Sequence, residues 1–596
     1  MLSKKLVGTL IAAAGLAAAT APAEAATFAV NNPDSNGAGS LRSAINAAEG
    51  TNRPDEIVFE IPGNGVHTIT LQNSLPVITK PLTIRGYSQP GADPATEDAP
   101  ATPKVAIDAT NVLRGLDIGG DEVEVRGLVV KNAQVEGIHV EGSDNVVAGN
   151  HIRTNAAGDQ PRGNAITGVR VVGQDNIVGG PELEDRNVIS GNGSVQVEIA
   201  DGSGHVVEGN RIGANAEGNG GFGGAVGVTL APDSSGTTLR DNQIGRQGTG
   251  VLVLGDDNVL QGNDIGTKAS GKRALPNGFG VRVLDGDDNL IGGTGEDEGN
   301  LISGNDLNGI RLEAGLDAAS NNDVQGNLIG TTFTGRAPLP NGIVGAYPAV
   351  AIIASDDNTV GGVAAGAGNV IAGNIGDGVR IRDAGADDNV VVGNWIGTNK
   401  TAARDLGNGG SGVFLDGGAR NRVGSPDENH PLTTIAHNDG DGVTVFAGAQ
   451  HAVVRTEMFD NDLHIDLGGD GSTANDPADL DGGANDLQNG PEIDDVTPSG
   501  VEWELETVPS TTYRLEFYAC EGGGAREGMT YLGSTTTITD ANGDADDTSP
   551  LPGAIEPGDF VAMTATRTTL GGVLPNLVQL MRETSELSPC EEVQAA

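Results

Sequence analysis

The feature that most constrains this 596-residue chain is a short asparagine phrase that keeps returning. Residues 145–155 read NVVAGNHIRTN, 258–267 read NVLQGNDIGT and 389–398 read NVVVGNWIGT, with related copies beginning near His205, Thr237 and Asn322. Intervals such as Asn242 to Asn263, Asn305 to Asn327 and Asn374 to Asn394 span 21, 22 and 20 residues. A period near twenty is the mark of a solenoid, in which each repeat buries its apolar side chains only by stacking on its neighbours.

Between the asparagines, apolar residues alternate with period two, as in Gly168-Val169-Arg170-Val171, Gly280-Val281-Arg282-Val283, Gly309-Ile310-Arg311-Leu312 and Gly378-Val379-Arg380-Ile381. Period two means strands, and no unit has room for a helix. Short strands joined by Gly and Asn corners close into a parallel β-helix that rises about 4.8 Å per coil. The 94 glycines fall at corners such as Gly262, Gly326 and Gly393, where a bend with positive φ suits them. Asn150, Asn210, Asn242, Asn263, Asn305, Asn327, Asn374 and Asn394 read as structural, because an amide at the same corner of successive coils can bond the next coil's backbone. A second corner carries Asp-Asp-Asn or a near copy, with Asp144 and Asp175, Asp257 and Asp288, and Asp357 and Asp388 each 31 residues apart. It reads as an Asx turn, with a calcium corner as the alternative.

Residues 1–25 carry Lys4, Lys5, an apolar run from Leu6 to Ala19 and Ala23-Glu24-Ala25, the pattern of a secretory signal. No later run is long enough for a membrane helix, so the expected protein is secreted or held at the cell surface, and monomeric. The formal charge of −47 excludes nucleic acid as a partner, since phosphate binding needs clustered Lys and Arg. The acidity reads as solubility, with cation binding as the alternative.

Residues 26–53 form an expected N-terminal cap, in which Ser40 caps a short helix through Ala48 that covers the first coil. The coil proper is expected over 54–467, an Asp-rich linker over 468–498 and a small β-sandwich over 499–596, where alternating strands reappear. Cys520 and Cys590 both fall in that last module, and in an exported protein a disulfide between them is the economical reading, two free thiols the other.

The run Gly37-Ala38-Gly39-Ser40-Leu41-Arg42-Ser43-Ala44-Ile45, the segments Leu75-Pro76-Val77-Ile78 and Tyr87-Ser88-Gln89-Pro90-Gly91-Ala92, and Asn-Val-Ile-Ser-Gly-Asn at 187–192 resemble bacterial secreted right-handed parallel β-helix repeat proteins. So does the stretch from Ile465-Asp466-Leu467-Gly468 to Asn489. These belong to the pectate-lyase-like superfamily. The resemblance covers nearly the whole chain after residue 25, implies a right-handed coil, and implies an Ig-like form for the C-terminal sandwich. It does not choose an activity, since the superfamily holds lyases, hydrolases and adhesins.

For function, the outward position of the strands is held by His139, Arg170, Thr229, Leu252, Arg282, Arg311, Arg380, Phe414 and Thr444. On one sheet they would make a stripe in which Arg170, Arg282, Arg311 and Arg380 grip carboxylates of an acidic glycan, or else pair with neighbouring Asp and Glu. Trp395 stands where Arg211, Gln243, Asp264 and Leu328 sit in other repeats, a variable position suited to sugar stacking. Asp466, Asp470, Asp476, Asp479 and Asp481 are the candidate calcium ligands, and no other cofactor is implied. No triad, zinc cluster or phosphate loop is recognisable. The expected function is non-catalytic binding of polysaccharide or extracellular matrix. A polysaccharide lyase or glycoside hydrolase on an acidic glycan, and a structural surface layer, are the alternatives.

Overall fold

A computed structural model describes residues 25–520, 529–551, 555–571 and 578–594. The expected signal segment lies almost wholly outside them. From Thr27 to Leu467 the chain winds as the parallel β-helix expected from the sequence. Three parallel faces run along the coil, each strand pairing with its equivalent one turn away. Face 1 holds fifteen strands from Thr27–Val30 to Ala452–Val454. Face 2 runs from His67–Thr70 to Thr456–Phe459. Face 3 holds thirteen strands from Arg114–Ile118 to Ile465–Leu467. Inward aliphatics from all three, such as Val281, Val283, Ile291 and Ile302, merge into one continuous core with no exposed surface. Alternation alone dictates this, because in a parallel stack a residue and its register partner face the same way.

Three ladders of buried polar side chains stitch the corners. One runs Asn150, Asn187, Asn210, Asn242, Asn263, Asn300, Asn327, Asn369, Asn394, each amide N–H donating to the next residue's Oδ1. A second runs from Asn277 through Asn305, Asn341, Asn374 and Asn408 to Asn438 and Asn461. The third joins Asn258, Asn289, Asn322, Asn358, Asn389 and Asn421, and His451 takes the next rung through Nδ1. Asn305 and Asn327, like Asn374 and Asn394, therefore belong to different corners of one coil. The twenty-residue spacing between them is not the coil period. Successive rungs of the first ladder are separated by 21, 37, 27, 42 and 25 residues, because loops of unequal length bulge between strands.

The Asp-Asp-Asn corner has a backbone cause. Asp144, Asp175, Asp257, Asp288, Asp357 and Asp388 all take φ between 55° and 58°. Asp and Asn tolerate the left-handed region better than other non-glycine residues, and each of these precedes a rung of the third ladder or, for Asp144 and Asp175, its early copy at Asn145 and Asn176.

Both ends are covered. The helix Leu41–Glu49 starts where Ser40 Oγ accepts from the Ser43 amide, and it lays Leu41, Ala44, Ile45 and Ala48 against the first coil. At the other end, segment 468–491 folds back instead of forming a solvated linker, burying Ala484, Asn485, Gln488 and Asn489. Beyond it, two antiparallel sheets close over a shared core of Trp503, Tyr513, Phe517, Val561 and Met563. A Cys520–Cys590 disulfide spans this module. The module also finishes the last coil. Thr584 Oγ1, Glu516 Oε2 and Glu586 Oε1 accept from the amides of Val453, Arg455 and Leu467, and Met458 pairs with Met529. Amides that a missing next coil would leave orphaned are thus satisfied.

Candidate functional site

Face 3 carries the expected outward column. Register partners place Asp117, His139, Arg170, Glu198, Thr229, Leu252, Arg282, Arg311, Ala351, Arg380, Phe414, Thr444 and Asp466 in one line. Its arginines already hold carboxylates of this chain. Arg170 lies 3.3 Å from Glu198, and Arg282 and Arg311 share the carboxylate of Glu313, which is 5 % exposed. Arg380 reaches Asp416 at 3.1 Å and Asp377 at 3.5 Å, with its guanidinium 4.3 Å from the Phe414 ring centroid. His139 sits between Glu136 and Glu141 at 3.1 and 2.8 Å. Burial opposes its charge, but hydrogen bonds to the two carboxylates outweigh it and raise its pKa. The stripe is a self-neutralised network, and the pairing with neighbouring acids is what forms.

The acidic segment splits in two. Asp476, Asp479 and Asp481 present carboxylate oxygens within 4.8 Å of one another. Asp479 is pre-oriented by the Asn489 amide at 2.9 Å and by Thr507 Oγ1 at 2.7 Å. Burial, and after it the neighbouring Asp476 and Asp481 charges, raise its pKa against those bonds. Such a triad is the donor set a hard cation would relieve. Asp466 does not join it: its oxygens take the amides of Gly469 and Gly471 at 3.1 and 3.2 Å, and its charged neighbours are Asp441 and Asp470.

Trp395 is not on the arginine face. It lies on face 2, where the outward column reads His151, Val188, Arg211, Gln243, Asp264, Leu301, Leu328, Val370, Trp395 and Thr434. One side of this column is walled by hairpins bridged at Thr154–Pro161, Ala214–Gly221, Thr267–Ala274 and Thr331–Pro338. The hairpins stack like the strands beneath them, with the amides of Ala216, Ala269 and Phe333 donating to Gly158, Gly218 and Gly271, each at 3.0 Å. Opposite them stand the loops that enter face 2, including Leu183, Glu296 and Asp297. The floor between is a trough with two depressions, of about 260 and 750 Å³.

The larger depression holds Asp264, with Asp241, Asp297, Arg336 and Lys400 around it. Burial, and then the charge of Asp241, push the Asp264 carboxyl up to about 6. Among the described residues neither the Asp264 carboxylate nor the Trp395 indole makes a side-chain hydrogen bond, and Lys400 Nζ sits 6.0 Å over the Trp395 ring. The sequence signal for Asp264 was its place in the variable position shared with Trp395. The hairpin wall was not read from the sequence, because its repeats share little beyond the corner glycines, Thr154, Thr267 and Thr331, and the turn asparagines Asn155 and Asn215.

No protein-family model and no curated protein matches the chain. Among solved structures it is similar to the Azotobacter vinelandii mannuronan C-5 epimerase A-module, at 12 % identity over 76 % of this chain and 100 % of that one, with a TM-score of 0.34. It is similar to an Arthrobacter chlorophenolicus DFA-IIIase, at 15 % identity over 68 % and 96 %, TM-score 0.38. A tailspike of the E. coli bacteriophage HK620 matches at 10 % identity over 91 % and 89 %, TM-score 0.34. The parallel architecture rests on the strand register given above.

Proposed function

We propose that this protein is an exported, polysaccharide-binding β-helix that holds an extended glycan in the trough over face 2. The observation that carries the reading is a contrast between faces. On face 3 the outward charges pair with one another, whereas on the walled floor of face 2 Arg211, Asp264 and Trp395 make no side-chain hydrogen bond among the described residues. Ligand grooves pair an apolar or aromatic floor with a few unsatisfied polar groups in this way. Export is supported by the expected leader and by a disulfide, which persists in oxidising compartments. Affinity electrophoresis of the protein purified after export, through gels loaded with neutral and acidic polysaccharides, tests this. Retardation by at least one polymer, weakened in Trp395→Ala, is expected, and mobility unaffected by every polymer refutes it.

A second reading, glycoside hydrolysis, is favoured by one observation. Asp264 is held partly protonated near neutral pH beside Asp241, and hydrolysis needs one carboxyl as acid and one as base or nucleophile. Release of reducing ends that disappears in Asp264→Asn supports catalysis, and retention without release supports binding alone.

A further inference from the structure

We infer that Arg186 and Arg211 form an oxyanion site at the N-terminal end of the trough, which makes the ligand a saccharide bearing carboxylate or sulfate groups. This rests on reading the trough as a glycan groove and names the class of glycan it takes.

Arg114, Arg126, Arg170, Arg240, Arg282 and Arg380 each hold a carboxylate within 4 Å. Arg186 and Arg211 hold none among the described residues. They lie on adjacent coils, Arg211 paired in register with Val188 two residues after Arg186, and both line the 260 Å³ depression. Among the described residues the only acceptor for either guanidinium is the Gly209 carbonyl, 3.2 Å from Arg186 Nε. Burial, then the charge of Arg186, push Arg211 down to about 10, and burial lowers Arg186 as well. Two guanidiniums that are both desolvated and mutually repelling are costly to fold. An oxyanion between them removes the repulsion and takes up planar N–H groups that, Arg186 Nε apart, no group among the described residues uses.

The third group is His151, one coil before Val188 and two before Arg211 in the same column. It is fully buried and lines the same depression, and its ring nitrogens lack a well-formed hydrogen bond, the backbone of Asn155 and Ala156 lying nearest. The acids nearby do not fill the site. Glu217 leans in from the hairpin without reaching ion-pair distance, its carboxylate taking the Asn219 side-chain N–H at 2.7 Å, and Glu97 and Asp98 stay at the exposed rim. The volume, roughly that of nine water molecules, admits one sugar-borne anionic group with part of its ring.

The test is isothermal titration of the full chain at low salt with four probes: sodium sulfate, a uronate oligosaccharide, a sulfated oligosaccharide and a neutral oligosaccharide of equal length. At least one acidic saccharide is expected to bind about ten-fold or more tightly than the neutral one. Arg186→Gln and Arg211→Gln should each remove about ten-fold with circular dichroism unchanged. Arg211→Lys, which keeps the charge and loses the fork, should fall between. The preferred acidic probe separates a carboxylate from a sulfate ester. Equal affinity for neutral and acidic probes, indifferent to all three variants, overturns the oxyanion site and leaves the groove standing. Arg211-dependent sulfate binding without saccharide binding upholds the oxyanion site and overturns the groove. Absence of any binding overturns both.

Discussion

Replacing Asn327 by alanine puts the ladder argument at risk at one position. Asn327 is fully buried. Its Oδ1 accepts from the Asn300 amide at 3.0 Å and from Asn300 Nδ2 at 2.9 Å, while its own Nδ2 donates to the Ile291 carbonyl at 2.8 Å and to Asn369 Oδ1 at 2.9 Å. Truncation strands the Asn300 amide, at a cost of about 1–3 kcal/mol, and takes one partner each from Asn300 Nδ2, Ile291 and Asn369. A loss of about 2–5 kcal/mol in all follows. Urea unfolding gives the total, and hydrogen exchange at the Asn300 amide gives the local share, which matters because stacked repeats can unfold piecemeal. Asn219→Ala on an exposed hairpin is the control, expected to change stability by less than about 0.5 kcal/mol. If Asn327→Ala matches that control and the Asn300 amide stays protected, the ladder is not what holds the corners.

Asp264 has its folded pKa raised from 3.8 to about 6, so the folded state binds the extra proton between those values and stability falls as pH rises through that window. Asp264→Asn should flatten this slope in pH-dependent melting curves and gain about 1–3 kcal/mol at pH 7, and an unchanged slope rejects the assignment. Glu313 neutralises both Arg282 and Arg311, which are register partners, so Glu313→Ala should cost about 1–3 kcal/mol, more than Arg282→Ala, in denaturant titration; equal losses would mean that the two arginines do not share it. Millimolar calcium is expected to raise Tm through Asp476, Asp479 and Asp481, with the rise absent in Asp479→Asn. A Tm indifferent to calcium in the unaltered protein removes the cation reading of this segment.

The coil, its inward aliphatics, the Ser40 cap and the disulfide were legible in the amino-acid sequence. Each depends on local rules: alternation sets which residues face in, Asn and Gly set where the chain turns, and two cysteines in one module have a single pairing. The outward column of face 3 was legible for the same reason, since Arg170, Arg282, Arg311 and Arg380 sit at one phase of the same four-residue pattern. That they pair with neighbouring acids was one of the two readings the sequence offered, but which acids they meet was not legible. Glu313 stands two residues along the strand from Arg311 but one coil away from Arg282, Asp416 stands one coil away from Arg380, and Glu198 occupies a place in the column that the pattern did not mark.

The same unequal loops explain the misread period. Asn305 and Asn327 look like successive copies along the chain, but closure of the coil assigns them to different ladders. Trp395 was singled out by its variable position, yet only the stacking of hairpins beside it turned face 2 into a trough and brought Asp264, Arg186 and Arg211 to its floor. Sequence determined the solenoid because its information is periodic and local. Tertiary structure decided the site, because which charges meet depends on how many residues each coil spends in its loops.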